Sequence, residues 1–336
     1  MNTGIKKLRT LMEAVQYFAD PDAALQYFIQ FRWPHGVTCP HCGSKAASYL
    51  ANQRRWQCHT KHPRRQFSAK VGTIFEESPL PLEKWLVAAW LETNAKNSIS
   101  SYEVARALGI TQKSAWFMLH RVRFALHVGS FDKKLSGVIE ADETFIGGRA
   151  INMHKAKRAA RIKGTGGAAM TPVMGLLERH DGKKHSTVRA MVLADRKKKT
   201  IHEVIHSNVE PGSSVYSDAL QSYSGLSPTF AHDFIDHAEA YVKDKVVHTN
   251  GLENFWSLFK RCIKGTHVSI EPFHTGAYID SEAFRFNNRE VKDADRFAIA
   301  LSGVSGKRLT YKNLIGMPTL GRSLDDSGEG SAEANC

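Results

Sequence analysis

The chain has 336 residues, 42% apolar and 24% charged, enough for two or three globular modules with cores of their own. Its longest apolar run, Trp85 to Leu91, falls far short of the roughly 20 residues that span a bilayer, and no leader-like apolar segment follows Lys6, Lys7 and Arg9, so a cytoplasmic protein with no membrane partner is expected. A net charge of +13 makes a polyanion, nucleic acid first, the expected partner rather than a small molecule, and five cysteines without a secretory leader argue against a disulfide framework.

Residues 1–36 form a first helical segment. Ala24, Leu25, Phe28 and Phe31 recur at helical spacing, Asp20-Pro21 opens the second of two short helices, and Arg32-Trp33-Pro34-His35-Gly36 ends it. Residues 37–76 follow as a small metal-stapled unit. Cys39-Pro-His-Cys42, then Cys58, then His62 give C-x2-C-x15-C-x3-H, two ligand pairs separated by a hairpin, which is the zinc-ribbon arrangement for a structural Zn²⁺. His59 competes with His62 as fourth ligand. The plainer alternative, a redox pair with Cys58 as a buried thiol, lacks a βαβ frame.

Residues 77–130 carry a helix-turn-helix pattern. Ser100 and Glu103 have capping-box spacing, Gly109 supplies the turn and Thr111 caps a second helix. Ala115, Leu119, Val122 and Leu126 make its buried stripe, so Gln112, Lys113, Arg121 and Arg123 are expected outward as DNA contacts. The alternative is an ordinary helical hairpin with a solvated basic face.

Residues 131–297 alternate strands and helices, the pattern of an α/β domain. Val138 to Ile146 is a strand candidate in which Glu140 and Asp142 share one side and Glu143 points to the other. Ser214 to Asp218 ends a second strand on an acid. His248 to Arg261 is a helix with Asn250, Glu253, Ser257 and Lys260 on one face and Leu252, Phe255 and Phe259 on the other. Two strand-borne aspartates and a helix-borne glutamate suit two-metal phosphodiester chemistry, with Asp142 bridging two Mg²⁺ or Mn²⁺ ions and Asp218 and Glu253 each completing one. Lys260 and Arg261 would hold DNA phosphate. Singly, each acid is equally well a turn former or helix cap. Basic runs at His154 to Lys163 and Arg196 to Lys199 interrupt the domain, and residues 298–336 form an extension ending, from Pro318, in a disordered acidic tail.

Four segments carry a resemblance: Arg64-Arg-Gln-Phe-Ser-Ala-Lys-Val-Gly-Thr-Ile-Phe75, Ala141-Asp-Glu-Thr-Phe-Ile-Gly-Gly148, His248-Thr-Asn-Gly-Leu-Glu-Asn-Phe-Trp256 and Phe284-Arg-Phe-Asn-Asn-Arg289. Over roughly residues 20–290 the chain resembles the ISXO-like, Merlin-related bacterial insertion-sequence transposases of the DDE type. That resemblance implies an RNase-H-like (retroviral integrase-like) catalytic fold behind an N-terminal zinc ribbon and helix-turn-helix, and cut-and-paste DNA cleavage and joining. It also implies element ends and target DNA as partners, a homo-oligomer in the active complex, and association with the bacterial nucleoid. The implied triad falls on Asp142, Asp218 and Glu253, with Asn250 second to Glu253 for the third position. Two departures stand out: Ser281 occupies a place where a Glu is expected, with Glu282 following, and His62 stands where many relatives carry Cys. Rival readings are a zinc-ribbon transcription regulator without catalysis and a structure-selective nuclease that cuts without joining.

Overall fold

The structure, a computed structural model, describes residues 5–127, 133–147, 155, 170–180, 185–218, 221–227, 229–235 and 248–316. The acidic tail and all of the basic run 154–163 except Lys155 lie outside the described residues.

The amino-terminal half begins with α1 (Leu11–Phe18) and α2 (Pro21–Arg32). Thr10 and Asp20 cap them by accepting the amide N–H of Glu13 and Asp22, and Pro21 sits in the first turn, where a missing N–H costs nothing. A three-stranded antiparallel sheet follows, β1 (Ala47–Leu50), β2 (Arg55–Cys58) and β3 (Gln66–Phe67), and then α3 (Leu82–Asn94), α4 (Ser101–Leu108) and α5 (Gln112–Leu126).

The second half is built on a five-stranded mixed sheet. Its strands are β4 (Val138–Ile146), β5 (Thr171–Glu178), β6 (Thr187–Val192), β7 (Ser214–Asp218) and β8 (Ala231–Ile235), in the order β6-β5-β4-β7-β8. β5 runs antiparallel to both β4 and β6, whereas β7 runs parallel to β4 and β8 parallel to β7. Helix α6 (Lys198–Asn208) covers one face, packing Ile201 and Ile205 on Ile139, Ala141, Met174 and Val215. Helices α7 (Asn250–Cys262) and α8 (Thr275–Asn287) cover the other, with Leu252, Phe255, Phe259, Ile279 and Phe286 against Ile146, Val173 and Leu177. Apolar residues on both sides of one sheet thus require helices on both sides.

Two expectations on organisation change. The helical segment, zinc unit and helix-turn-helix, read as separate modules, share one core that runs from Phe18 through Trp56, Phe67 and Trp85 to Leu119. The boundary expected at 297/298 falls inside α9 (Asp293–Ser302), whose Phe297 packs on Phe18, Tyr27 and Trp90 with ring centroids 6.1, 6.1 and 5.1 Å away. The carboxy-terminal helix therefore returns to complete the amino-terminal core, and the described chain closes with α10 (Tyr311–Leu314). Among the described residues no helix is long and apolar enough to cross a membrane.

Candidate functional site

The hairpin β1–β2 carries Cys58 back beside the Cys39–Cys42 turn, and His62 lies just beyond it. One ligand atom from each of Cys39, Cys42, Cys58 and His62 lies within 4.8 Å of all the others. Cys42 Sγ and Cys58 Sγ are 3.6 Å apart, and Cys39 Sγ and His62 Nε2 3.5 Å apart. Zn–S bonds of about 2.3 Å at tetrahedral angles separate two sulfurs by about 3.8 Å, so these edges fit a Zn²⁺ at their centre. Burial pushes the Cys58 thiol up, but hydrogen bonds from His62, Thr60 and Cys42 outweigh it and draw the group down to about 6, toward the thiolate a metal needs. His59 is exposed and outside the cluster, so of the two candidate histidines it is His62 that joins the cysteines. The ligand set is that of structural zinc.

The helix-turn-helix caps form as their residues dictate. The Ser100 hydroxyl accepts the Glu103 N–H (3.2 Å), the Glu103 carboxylate accepts the Ser100 N–H (2.9 Å), and Thr111 accepts the Ser114 N–H (3.2 Å). Gly109 takes the left-handed conformation, φ 59°, that ends α4. Ala115, Leu119, Val122 and Leu126 are buried, as their spacing requires.

The outward placement of Arg121 and Arg123 is corrected. Arg123 is 1% exposed and gives Nε and Nη2 to the buried Glu92 carboxylate at 2.9 and 3.2 Å, with its guanidinium 4.2 Å from the Tyr278 ring. Arg121 is 4% exposed, donates to the Glu76 carbonyl and lies over Trp85 and Phe117. Because α3, α8 and α9 all pack on α5, these two faces never meet solvent. Of the four candidate contacts only the two in the first turn of α5 stay accessible, with Lys113 exposed 4.9 Å from the Tyr311 ring and Gln112 half-buried, its amide on Ser101.

Asp142 and Asp218 lie on the two adjacent inner strands of the sheet, β4 and β7. The β4–β7 ladder pairs Val138 with Ser214, Ile139 with Val215 and Glu140 with Tyr216. Continued by two residues, that register sets Asp142 level with Asp218 and on the same face. Helix α7 crosses this face, with Trp256 Nε1 donating to Asp142 Oδ2 at 3.0 Å and Leu252, Phe255 and Phe259 turned into the core. Glu253, Ser257 and Lys260 occupy the opposite, exposed side of α7.

Burial, and next the charge on Asp218, push the Asp142 carboxyl up to about 6; the Trp256 and Glu143 N–H groups oppose this and the Glu253 charge adds to it. Asp142 thus feels both other carboxylates, and with Glu143, Glu253, Trp256, Ser257, Lys260, Arg261 and Lys264 it lines a cleft of about 580 Å³, whose lining does not include Asp218. Asn250, exposed at the start of α7, is not among its lining residues.

Three features went beyond the sequence pattern. Glu143 does point to the opposite strand face, where Tyr223 donates to it, yet it still borders the cleft. Burial pushes it up to about 7, the Tyr223 hydroxyl opposing and the charges of Asp218 and Asp142 adding. The Trp256 contact to Asp142 was legible only as an aromatic on a core helix. Glu140, one turn of the pleat before Asp142, is buried in an ion pair with Arg179.

An acidic cleft rimmed by Lys260, Arg261 and Lys264 behind a zinc ribbon accords with the comparisons. The ISXO2-like transposase domain family matches residues 134–287, and the transposase zinc-ribbon domain family matches residues 19–60. A protein in the transposable element ISH50 of Halobacterium salinarum is 25% identical over 302 residues, 83% of this chain and 97% of that protein. A transposase-like protein of Haemophilus influenzae is 31% identical over 106 residues, 31% of this chain and 85% of that one. Zinc cluster, acidic cleft and family matches agree: the chain belongs to the ISXO2-like DDE transposases of insertion sequences that carry an amino-terminal zinc ribbon.

Proposed function

We propose that the protein binds the terminal inverted repeats of its insertion sequence and catalyses divalent-metal-dependent strand cleavage and strand transfer, with Asp142, Asp218 and Glu253 as the triad. The observation that carries this reading is that Asp142 and Glu253, far apart in sequence, line one basic-rimmed cleft, while the charge of Asp218 acts on Asp142. The sheet, three antiparallel strands followed by two parallel ones with helices on both faces, supports an RNase-H-like catalytic domain. Glu253, which lines the cleft, is favoured over Asn250, which does not.

An all-carboxylate donor set suits hard cations, so Asp142, Asp218 and Glu253 would hold Mg²⁺ or Mn²⁺. Two such ions, when bound, supply activation of the attacking oxygen and stabilisation of the leaving oxygen. The chain does the positioning. The Trp256 N–H occupies one oxygen of Asp142 and fixes the carboxylate plane. Lys260, Arg261 and Lys264 set cations along the rim, where they would seat the DNA backbone with the scissile phosphate over the acids. Gln112 and Lys113, in the open first turn of α5, would contact the element end. Hydrolysis at that phosphate releases a 3′-hydroxyl, and the same site then directs that hydroxyl at a target phosphate, exchanging one ester for another. Work on two element ends calls for a homo-oligomer, acting in the bacterial cytoplasm at the nucleoid.

The test is cleavage and joining of a labelled element end in Mg²⁺. The native protein should cut and join, and Asp142→Ala should bind the end without cutting. Nicking by purified Asp142→Ala would overturn the assignment, and end binding by the native protein without any cutting would leave a regulator.

A further inference from the structure

We propose that Glu140 is a positioning residue for the catalytic site: its buried carboxylate clamps the amino end of α7 to β4 and so fixes Glu253 against Asp142. This rests on the reading of Asp142 and Glu253 as metal-holding carboxylates.

Glu140 is 1% exposed and lies on the same face of β4 as Asp142, two residues earlier. It is not among the residues lining the cleft. Its Oε2 accepts the backbone N–H of Leu252 at 2.9 Å. Leu252 lies in the first turn of α7, whose N–H groups have no partner inside the helix, and the residue preceding the helix, Thr249, makes no side-chain cap. A carboxylate from another element therefore serves as the cap, and its charge faces the positive end of the helix dipole.

The other oxygen is held from the far side. Glu140 Oε1 accepts Arg179 Nε at 2.6 Å, and Arg179 Nη2 donates onward to His248 Nδ1 at 2.6 Å and to the His248 carbonyl at 2.5 Å. Arg179 directly follows β5, so strand, guanidinium and the segment entering α7 are tied through one carboxylate.

Gly251 is the sequence trace of this clamp. A Cβ there would stand 2.8 Å from Glu140 Oε2 and 3.1 Å from Oε1, so only glycine lets the carboxylate reach the helix end. Two hydrogen bonds then join α7 to alternate residues of one strand, Leu252 N–H to Glu140 and Trp256 Nε1–H to Asp142. Glu253 lies between the two attachment points, next to the first. Its place at the cleft that Asp142 also lines follows from the clamp, since a rigid helix pinned at two points has no freedom to slide.

The experiment is Mn²⁺ binding to the full zinc-loaded chain, read by the electron paramagnetic resonance of free Mn²⁺, together with the Mg²⁺ dependence of end cleavage. Glu140→Gln removes the charge that Arg179 and the helix end need; Gly251→Ala forces the helix end away while leaving every carboxylate in place. Both should weaken Mn²⁺ binding by about 10- to 100-fold, the range for residues that orient ligands rather than ligate. High Mg²⁺ should restore most of the cleavage, a recovery that a merely structural defect would not show. Should Glu140→Gln fail to fold, Gly251→Ala decides alone. Mn²⁺ affinity lost in Asp142→Ala but unchanged in the two clamp variants would overturn this inference only. Affinity unchanged in Asp142→Ala would overturn the carboxylate-site reading and the clamp with it.

Discussion

Gly175 pairs with Asp142 across the β4–β5 ladder, and what it lacks seats the catalytic helix. A Cβ at that position would lie 2.6 Å from Trp256 Cζ2 and 2.7 Å from Leu252 Cδ2. Non-bonded carbons pack at about 3.5–4.0 Å, so Gly175→Ala must drive α7 back by roughly 1 Å. Neither neighbour can swing aside, because both are buried and the indole is tied to Asp142. Glu253 moves with the helix. A misplacement of about 1 Å costs on the order of 100-fold in rate, whereas overpacking of this size costs about 1–3 kcal/mol in stability. The assay is single-turnover cleavage of a labelled element end at saturating Mg²⁺, with thermal melting and gel-shift binding alongside. A large rate loss with end binding intact and a modest fall in melting temperature is expected. Cleavage at the native rate would refute the claim that close seating of α7 on β5 sets the triad.

Replacing Arg123 by Ala should destabilise the protein by on the order of 3 kcal/mol in chemical denaturation, because it strips one partner from the buried Glu92 while Arg285 still faces it. Lys113→Ala should instead leave stability unchanged and lower the slope of log binding constant against log salt by about 0.9, as for one lost phosphate contact; an unchanged slope would remove Lys113 from the interface. Zinc analysis should find the metal at Cys39, Cys42, Cys58 and His62, and its chelation should loosen the packing of Trp56 and Phe67 and abolish end binding; full binding by the chelated protein would contradict this.

The pH dependence turns on His120, 1% exposed, with neither ring nitrogen hydrogen-bonded. Burial, with the charge of Arg123 next, lowers it to about 2. A histidine held below its ordinary 6.5 contributes stability above that value and loses it as pH falls below. Asp142 and Glu143, raised to about 6 and about 7, act in the opposite direction, so the histidine must be isolated by difference. Between pH 7.5 and 5.5, His120→Phe should gain about 1.4 kcal/mol relative to the native chain in urea unfolding. A constant difference would show that His120 protonates freely.

What the sequence made legible was local. The capping box at Ser100 and Glu103, the left-handed Gly109, the zinc spacing and the two faces of α7 each depend on residues within a turn or hairpin of one another. The misplaced arginines show where this stops. A basic helix face reads as solvated unless its partner is known, and Glu92 stands 31 residues from Arg123. The same partner explains Ser281, which read as a departure from the expected Glu. Its buried hydroxyl donates to Glu92 at 2.7 Å, and a carboxylate there would face a second one with no water between them. Phe297 was likewise assigned to the wrong module, because an amphipathic helix reveals that it has a buried face but not whose core it enters.

The most direct test of the account is an anomalous-scattering map of crystals of the full chain with an element end and Mn²⁺, in which the zinc at Cys39, Cys42, Cys58 and His62 serves as an internal reference. Manganese within coordination distance of Asp142, Asp218 and Glu253 is the expected result. A clear zinc peak with manganese absent from those three carboxylates would contradict it.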